Sequence, residues 1–289
     1  MKKFLDSGEF ILFATLLIWC FFPIVNKLSF NTVPPVHAAG YASLIAGVTF
    51  LIILALRGQL YFFKTCTVWK EICLSTLFIG ILFYGFVFYG TSLTTAGNAA
   101  VFNLFEVFFT YLILSVIIKS ETFVRAHILG ACLMVAGALI ILVPKMNGQI
   151  AWGEVIIMAG CMFTPLGNKY AKDAITQVSP FFLMTVRSLI SGVFLTGLAF
   201  LMETPPTANG LAEGLPYLII NGVLLLGFSK ILWLESIRRI PITKAQSISV
   251  ITPALTLFFA WLVLGETPTA FQISGLVPIA GGAFLLLRK

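Results

Sequence analysis

Ten apolar runs follow one another along the chain, at roughly 9–29, 35–56, 71–93, 97–118, 126–144, 152–170, 179–202, 214–235, 243–264 and 269–287. They are numbered 1–10 below. Each is long enough to cross a bilayer as a helix, which takes about 20 residues. In a hydrocarbon core every backbone polar group must be satisfied internally, so only helices and closed barrels can span it. Barrel strands alternate apolar and polar residues; these runs are continuous. The expected fold is therefore all-α and integral to the membrane, with ten transmembrane helices.

The composition agrees. Charged residues make up 10% of the chain, against about 25% in soluble globular proteins. The net charge of +7 does not indicate nucleic acid, because the basic residues stand in ones and twos between apolar runs. Cys20, Cys66, Cys73, Cys132 and Cys161 include no Cys-x-x-Cys pair, and most lie inside the runs, so neither a metal site nor a disulfide framework is expected. Run 1 follows Lys2 and Lys3 without a small-residue cleavage site and reads as a retained span.

Short loops that carry Lys and Arg stay in the cytoplasm. With the N-terminus inside, inner segments hold Lys2, Lys3, Arg57, Lys64, Lys70, Lys119, Arg125, Lys169, Lys172, Arg238, Arg239, Lys244, Arg288 and Lys289, whereas outer segments hold only Lys27 and Lys145. Both termini are expected inside, in a plasma (inner) membrane. The outer "ETPPTANGLAEG" loop, with Glu203 and Glu213 and no basic neighbours, is expected to be the most mobile.

The chain is also a duplication. At a shift of 145 residues, Ser43–Val48 "SLIAGV" meets Ser188–Val193 "SLISGV". Gly8-Glu9 meets Gly153-Glu154, Glu121-Thr122 meets Glu266-Thr267, Gly130 meets Gly275, and Gly137-Ala138 meets Gly282-Ala283. Pro-x-x-Asn-Lys occurs at Pro23–Lys27 and again, 142 residues on, at Pro165–Lys169. The repeats are read as 1–147 and 148–289, five runs each. Five is odd, so the second repeat enters from the opposite side. Inverted repeats of this kind place a transport site near the midplane and alternate its access.

Ten spans in two halves, the Gly-Glu start of run 6, Glu-Thr after runs 4 and 9, and Ser249–Thr269 "SVITPALTLFFAWLVLGETPT" resemble the EamA family of the drug/metabolite transporter superfamily. The resemblance implies a 5+5 inverted fold, a central cavity inside runs 1–4 and 6–9, peripheral runs 5 and 10, and movement of small metabolites, often export of amino acids or related compounds. Two positions depart from the family pattern. Phe108 is the ungapped partner of Pro253, where the family usually has proline. Ala42 is the partner of Arg187, where the family often has a basic residue.

An ionisable group at mid-membrane is costly and points to function. Glu106 is the clearest, and Asn103, Glu106 and Thr110 share one helical face. Glu106 could carry a proton, meet a substrate amine, or form a fixed ion pair. Arg187, two turns into run 7, could bind a substrate carboxylate or phosphate, pair with Glu106, or snorkel. Lys230 reads rather as a snorkelling residue, although it is kept among the cavity candidates. Asn221, Trp19, Tyr84 and Trp233 are further cavity candidates. Pro23, Pro165 and Pro253 can break their helices and are candidate hinges. The small residues of runs 5 and 10 allow close helix contact, as scaffold or as a homodimer face; otherwise the chain is a monomer.

No nucleotide-binding loop and no hydrolase motif occurs, and neither enzyme activity nor a cofactor is expected. The reading is a secondary active transporter, an exporter or exchanger, proton-linked, of a small polar metabolite such as an amino acid or amine. Its partners are that solute and membrane lipid. The alternatives are a lipid flippase or scramblase, and a membrane sensor without flux.

Overall fold

A computed structural model describes residues 8–119, 126–142 and 152–285. Lys2, Lys3, Glu121, Thr122, Arg125, Lys145, Arg288 and Lys289 lie outside the described residues, as does the side chain of His127. Every secondary-structure element among the described residues is helical. Among the described residues, seven helices are long and apolar enough to cross a membrane: Gly8–Phe30, Pro35–Leu56, Trp69–Ser92, Ala96–Ile117, Pro180–Met202, Ala208–Arg239 and Ile242–Leu264. They correspond to runs 1–4 and 7–9. Runs 5 and 10 form the shorter helices Ala126–Leu142 and Ala270–Leu285, and run 6 forms two pieces, Trp152–Cys161 and Thr164–Ala174. Large apolar side chains cover the outside, Leu201 being 86% exposed and Leu56 83%, as a lipid-facing surface requires.

Runs 1, 4, 6 and 9 are all interrupted near their middles. Run 1 breaks at Cys20–Phe21, run 6 at Met162–Phe163, and run 9 passes through a short 3₁₀ turn, Ser249–Ile251. In each of these the next segment has proline in its first positions, at Pro23, Pro165 and Pro253. Proline lacks an N–H and clashes with the preceding turn, so the ladder stops there. Run 4 breaks at Leu104, between Ala96–Asn103 and Phe105–Tyr111, with no proline nearby. Leu104 and Ser249 are one 145-residue shift apart, so the break recurs where the residue that makes it does not. The freed carbonyls find partners on neighbouring helices, as they must in lipid. Thr256 Oγ1 donates to the Cys20 carbonyl at 2.8 Å, and Cys161 Sγ lies 3.8 Å from the carbonyls of Phe102 and Asn103. Runs 3 and 8 share another irregularity, π-helical stretches at Thr76–Phe83 and Ile220–Phe228.

Copies pack on copies. Run 2 lies along run 7, and run 5 along run 10. Both pairs run antiparallel. Gly47 faces Leu189, while Gly192 faces Leu44 and Gly40 faces Thr196. A Cβ on Gly47 would come within 2.8 Å of the Leu189 backbone nitrogen, and one on Gly192 within 2.7 Å of that of Leu44. In the second pair Gly137 meets Gly275, and Gly130 meets Gly282. The small residues picked out in the sequence thus bring the two halves of one chain together.

Helix ends are tied by acids from elsewhere in the chain. The two Gly-Glu copies behave alike: Glu154 accepts from Thr94 (2.6 Å) and Asn98 (2.7 Å) at the start of run 4, and Glu9 pairs with Lys244 (2.6 Å) at the start of run 9. Glu266 accepts from the backbone N–H groups of Ala96 and Gly97. Glu203 accepts from those of Val36 and His37, and also meets His37 Nδ1 at 3.1 Å. Carboxylates are favourable at such helix N-termini. The loop around Glu203 is shorter than the sequence suggests. Thr207 caps a helix that begins at Ala208, its Oγ1 accepting from Gly210 N, and this leaves only Glu203–Thr207 non-helical. Glu203 is not without a basic neighbour either, since it holds His37.

Candidate functional site

The four helix breaks face one cavity. Both copies of the duplicated element line it: Trp19 and Pro23 from run 1, Thr164 and Asn168 from run 6, Asn103 and Glu106 from run 4, Ser249 and Pro253 from run 9. Runs 3, 7 and 8 add Ile79, Phe83, Arg187, Lys230 and Trp233. Broken helices contributed by both halves are how transporter folds build a site at mid-membrane.

Three ionisable side chains reach the cavity, and each has a different setting. The Glu106 carboxylate accepts a hydrogen bond from Gln246 Nε2 at 2.9 Å. The Lys230 ammonium sits over the Trp19 ring, 3.3 Å from its centroid, a close cation–π contact. Trp19 is itself stacked on Phe22 at 4.2 Å. The charges of Glu106 and Lys230 act on each other. Lys230 therefore turns into the cavity instead of reaching for the inner interface, as snorkelling would require; the aromatic face offers the ammonium a partner there. Arg187 is 3% exposed, and its Nη2 donates to the Met184 thioether at 2.8 Å. Gly80, in the π-helical stretch of run 3, makes room for it: a Cβ there would approach Arg187 Cγ at 3.2 Å and Ser191 Cβ at 2.8 Å. No ion pair within 4.0 Å joins Glu106 to Arg187.

Of the sequence candidates, Glu106, Arg187, Asn103, Trp19, Lys230, Trp233, Pro23 and Pro253 line the cavity. Four are placed elsewhere. Thr110 lies one turn beyond Glu106, fully buried, its hydroxyl without a hydrogen bond. The break at Leu104 interrupts the helical face that was to unite Asn103, Glu106 and Thr110. Tyr84 is buried behind the wall, its hydroxyl also without a partner. Asn221 donates from Nδ2 to Asn26 Oδ1. Pro165 sits beside Thr164 at the start of the second piece of run 6.

The sequence reading missed Gln246, Thr15, Thr164, Asn168, Ser249, Thr252 and Thr256, all in the lining. Only the asparagines carried a usable signal. In both copies of Pro-x-x-Asn-Lys the Asn accepts a hydrogen bond from run 8, Asn26 from Asn221 and Asn168 from Trp233 Nε1 at 3.0 Å.

The model of the EamA-like transporter family matches residues 6–143 and again 151–288. The chain belongs to the EamA-like transporter family. It is accordingly a multi-pass membrane transporter built of tandem EamA repeats, and not an enzyme. It is 24% identical over 274 residues to "Uncharacterized transporter YoaV" of Bacillus subtilis strain 168, covering 93% of this chain and 92% of the relative. It is 26% identical over 204 residues to "Probable amino-acid metabolite efflux pump" of Salmonella typhimurium strain LT2, covering 66% and 67%. A solved crystal structure superposes with a TM-score of 0.70 over 97% of this chain and 96% of the other, at 17% identity. That likeness is one of fold.

Proposed function

We propose that this EamA-family chain is a secondary active transporter that exports or exchanges a small polar metabolite. Its ten runs form two inverted five-helix repeats, 1–147 and 148–289, related by a two-fold axis in the membrane plane. Rocking of one repeat against the other opens the cavity to each side in turn, with proton movement through Glu106 as the drive. The observation that carries this reading is the cavity at four equivalent helix breaks, lined by both halves and holding an acid at mid-membrane. The antiparallel packing of runs 2 and 7, and of 5 and 10, supports the inversion, since copies of one element can run antiparallel only if one half is turned over. Naming of a relative as an amino-acid metabolite efflux pump supports outward movement of a small solute. The distribution of Lys and Arg supports both termini inside an inner membrane.

The deciding experiment is counterflow in proteoliposomes. Vesicles preloaded with an unlabelled solute should accumulate its labelled form transiently only when they contain the protein, and net flux without preloading should depend on a pH gradient. A protein that binds the solute but gives no counterflow would contradict the reading. Orientation is tested by single cysteines: one replacing Asn209 should react with an impermeant reagent from outside, and one replacing Thr65 should not.

A further inference from the structure

We infer that the solute is an organic acid anion whose carboxylate sits on Arg187, and that an amino group on the solute adds nothing. This rests on the transport reading above and narrows its substrate class. The cavity holds two basic side chains and one acidic one. Lys230 rests on Trp19 and Glu106 on Gln246, and the two charges act on each other although no ion pair within 4.0 Å joins them. No acid answers Arg187; its electrostatic neighbour is the Tyr84 phenol. Among the described residues no carboxylate lies within 4.0 Å of it, its hydrogen bond goes to a thioether, and its sequence counterpart in the first half is Ala42. A guanidinium stays charged, carries five N–H donors, and finds in a thioether only a weak acceptor. A buried charge left uncompensated is costly. The cavity that Arg187 lines is where compensation can enter, and a carboxylate matches its fork of donors with two parallel hydrogen bonds. One uncompensated positive charge calls for one negative charge, which a monocarboxylate supplies. A dianionic phosphate would need a second positive charge, and Lys230 already acts on Glu106. A zwitterion would bring an ammonium to a cavity whose one acid already has Lys230 acting on it.

The test uses purified full-length protein in phosphatidylcholine nanodiscs, with chloride as the only buffer anion. Thermal stability is measured with matched carboxylates, primary amides, amines and α-amino acids on two- to six-carbon skeletons. At least one carboxylate should raise the melting temperature by about 3 °C at several times its Kd, with its amide and amine inert and its amino-acid analogue no better. Arg187→Gln should abolish that shift. Arg187→Lys, which keeps the charge and loses the fork, should keep the preference for carboxylate over amide at weaker affinity, and serves if the Gln variant does not fold. Stabilisation by amines alone, a carboxylate shift that survives Arg187→Gln, or no stabilising member at all would overturn the inference. So would a shift produced by phosphatidylglycerol and by no carboxylate, which would assign Arg187 to lipid headgroups. Counterflow separates the two readings. A carboxylate that binds through Arg187 without counterflow would sink transport and leave the site, whereas counterflow of an amine only would sink the anion and leave transport.

Discussion

Runs 4 and 9 are copies of one element, and their difference is instructive. Both break at the same place, Leu104 in one and Ser249–Ile251 in the other, and both face the cavity there. Run 9 breaks with Pro253; run 4 breaks with Phe108 in that position and places Glu106 two residues past the break. Runs 2 and 7 differ in the same way, packing against each other over their length while only run 7 carries a cavity charge, Arg187, opposite Ala42 in the repeat. Backbone is duplicated and charge is not. The first half gives the acid, and the second half gives Arg187 and Lys230. Under the proposed alternating access, either half would adopt the geometry of the other when the cavity changes sides, while the solute would meet one set of charges whichever way it opens.

The comparison breaks most visibly at Glu106. Glu106→Gln should reduce proton-driven net transport to near background, while solute-for-solute exchange persists, because that cycle need not release a proton. The variant should fold, since the carboxylate is in no direct ion pair within 4.0 Å with either Arg187 or Lys230, and Lys230 keeps its contact with the Trp19 ring. Full proton-driven transport by the variant would remove Glu106 from the mechanism, and loss of exchange as well would make it a solute ligand.

The duplicated frame is tested next. Gly47→Leu drives a side chain into the run 7 backbone at Leu189 and should cost about 1–3 kcal/mol by overpacking, seen as a lower melting temperature in detergent. The equivalent Gly192→Leu should cost a similar amount, because it meets Leu44 in the same way. A tolerated substitution at either site would argue against that seam. Pro253→Ala asks whether proline makes the break. Run 4 breaks without one, so run 9 should stay broken, with transport retained and stability changed by no more than the about 0.5–1.5 kcal/mol of one hydrogen bond. A straightened run 9, seen by distance measurements across the break, would make Pro253 the cause. The smallest effect is expected from Glu203→Gln, which removes a carboxylate from the N-terminus of Pro35–Leu56 and should cost about 0.3–1 kcal/mol without changing transport.

Much of the frame was legible in the sequence because membrane spanning constrains it so tightly. The lengths of runs 1–4 and 7–9 and the glycines of runs 2, 5, 7 and 10 carry through to packed helices. Run 6 appears in two pieces, Trp152–Cys161 and Thr164–Ala174, the second of which carries Lys169, Lys172 and Asp173. The site was legible where charge is rare: Glu106 and Arg187 stand out in any apolar run. It was not legible where the signal is a small polar residue. Thr15, Thr164, Thr252 and Thr256 look no different from threonines that bond their own helix, as Thr49 does to Ile45. Gln246 lies at the start of run 9 in sequence and reaches Glu106 only because the helix breaks three residues later. Lys230 was read outward because sequence cannot show that Trp19, more than two hundred residues away, turns its ring towards it.

The most direct test of the central claim, a cavity shared by two halves and opened to each side in turn, is a single cysteine at Ser249 in a protein otherwise free of cysteine. Ser249 lines the cavity at the run 9 break. It should react with an impermeant thiol reagent in right-side-out vesicles and also in inverted ones, and a pH gradient should raise one rate while lowering the other. Reaction from one side only, unchanged by any gradient, would contradict alternating access.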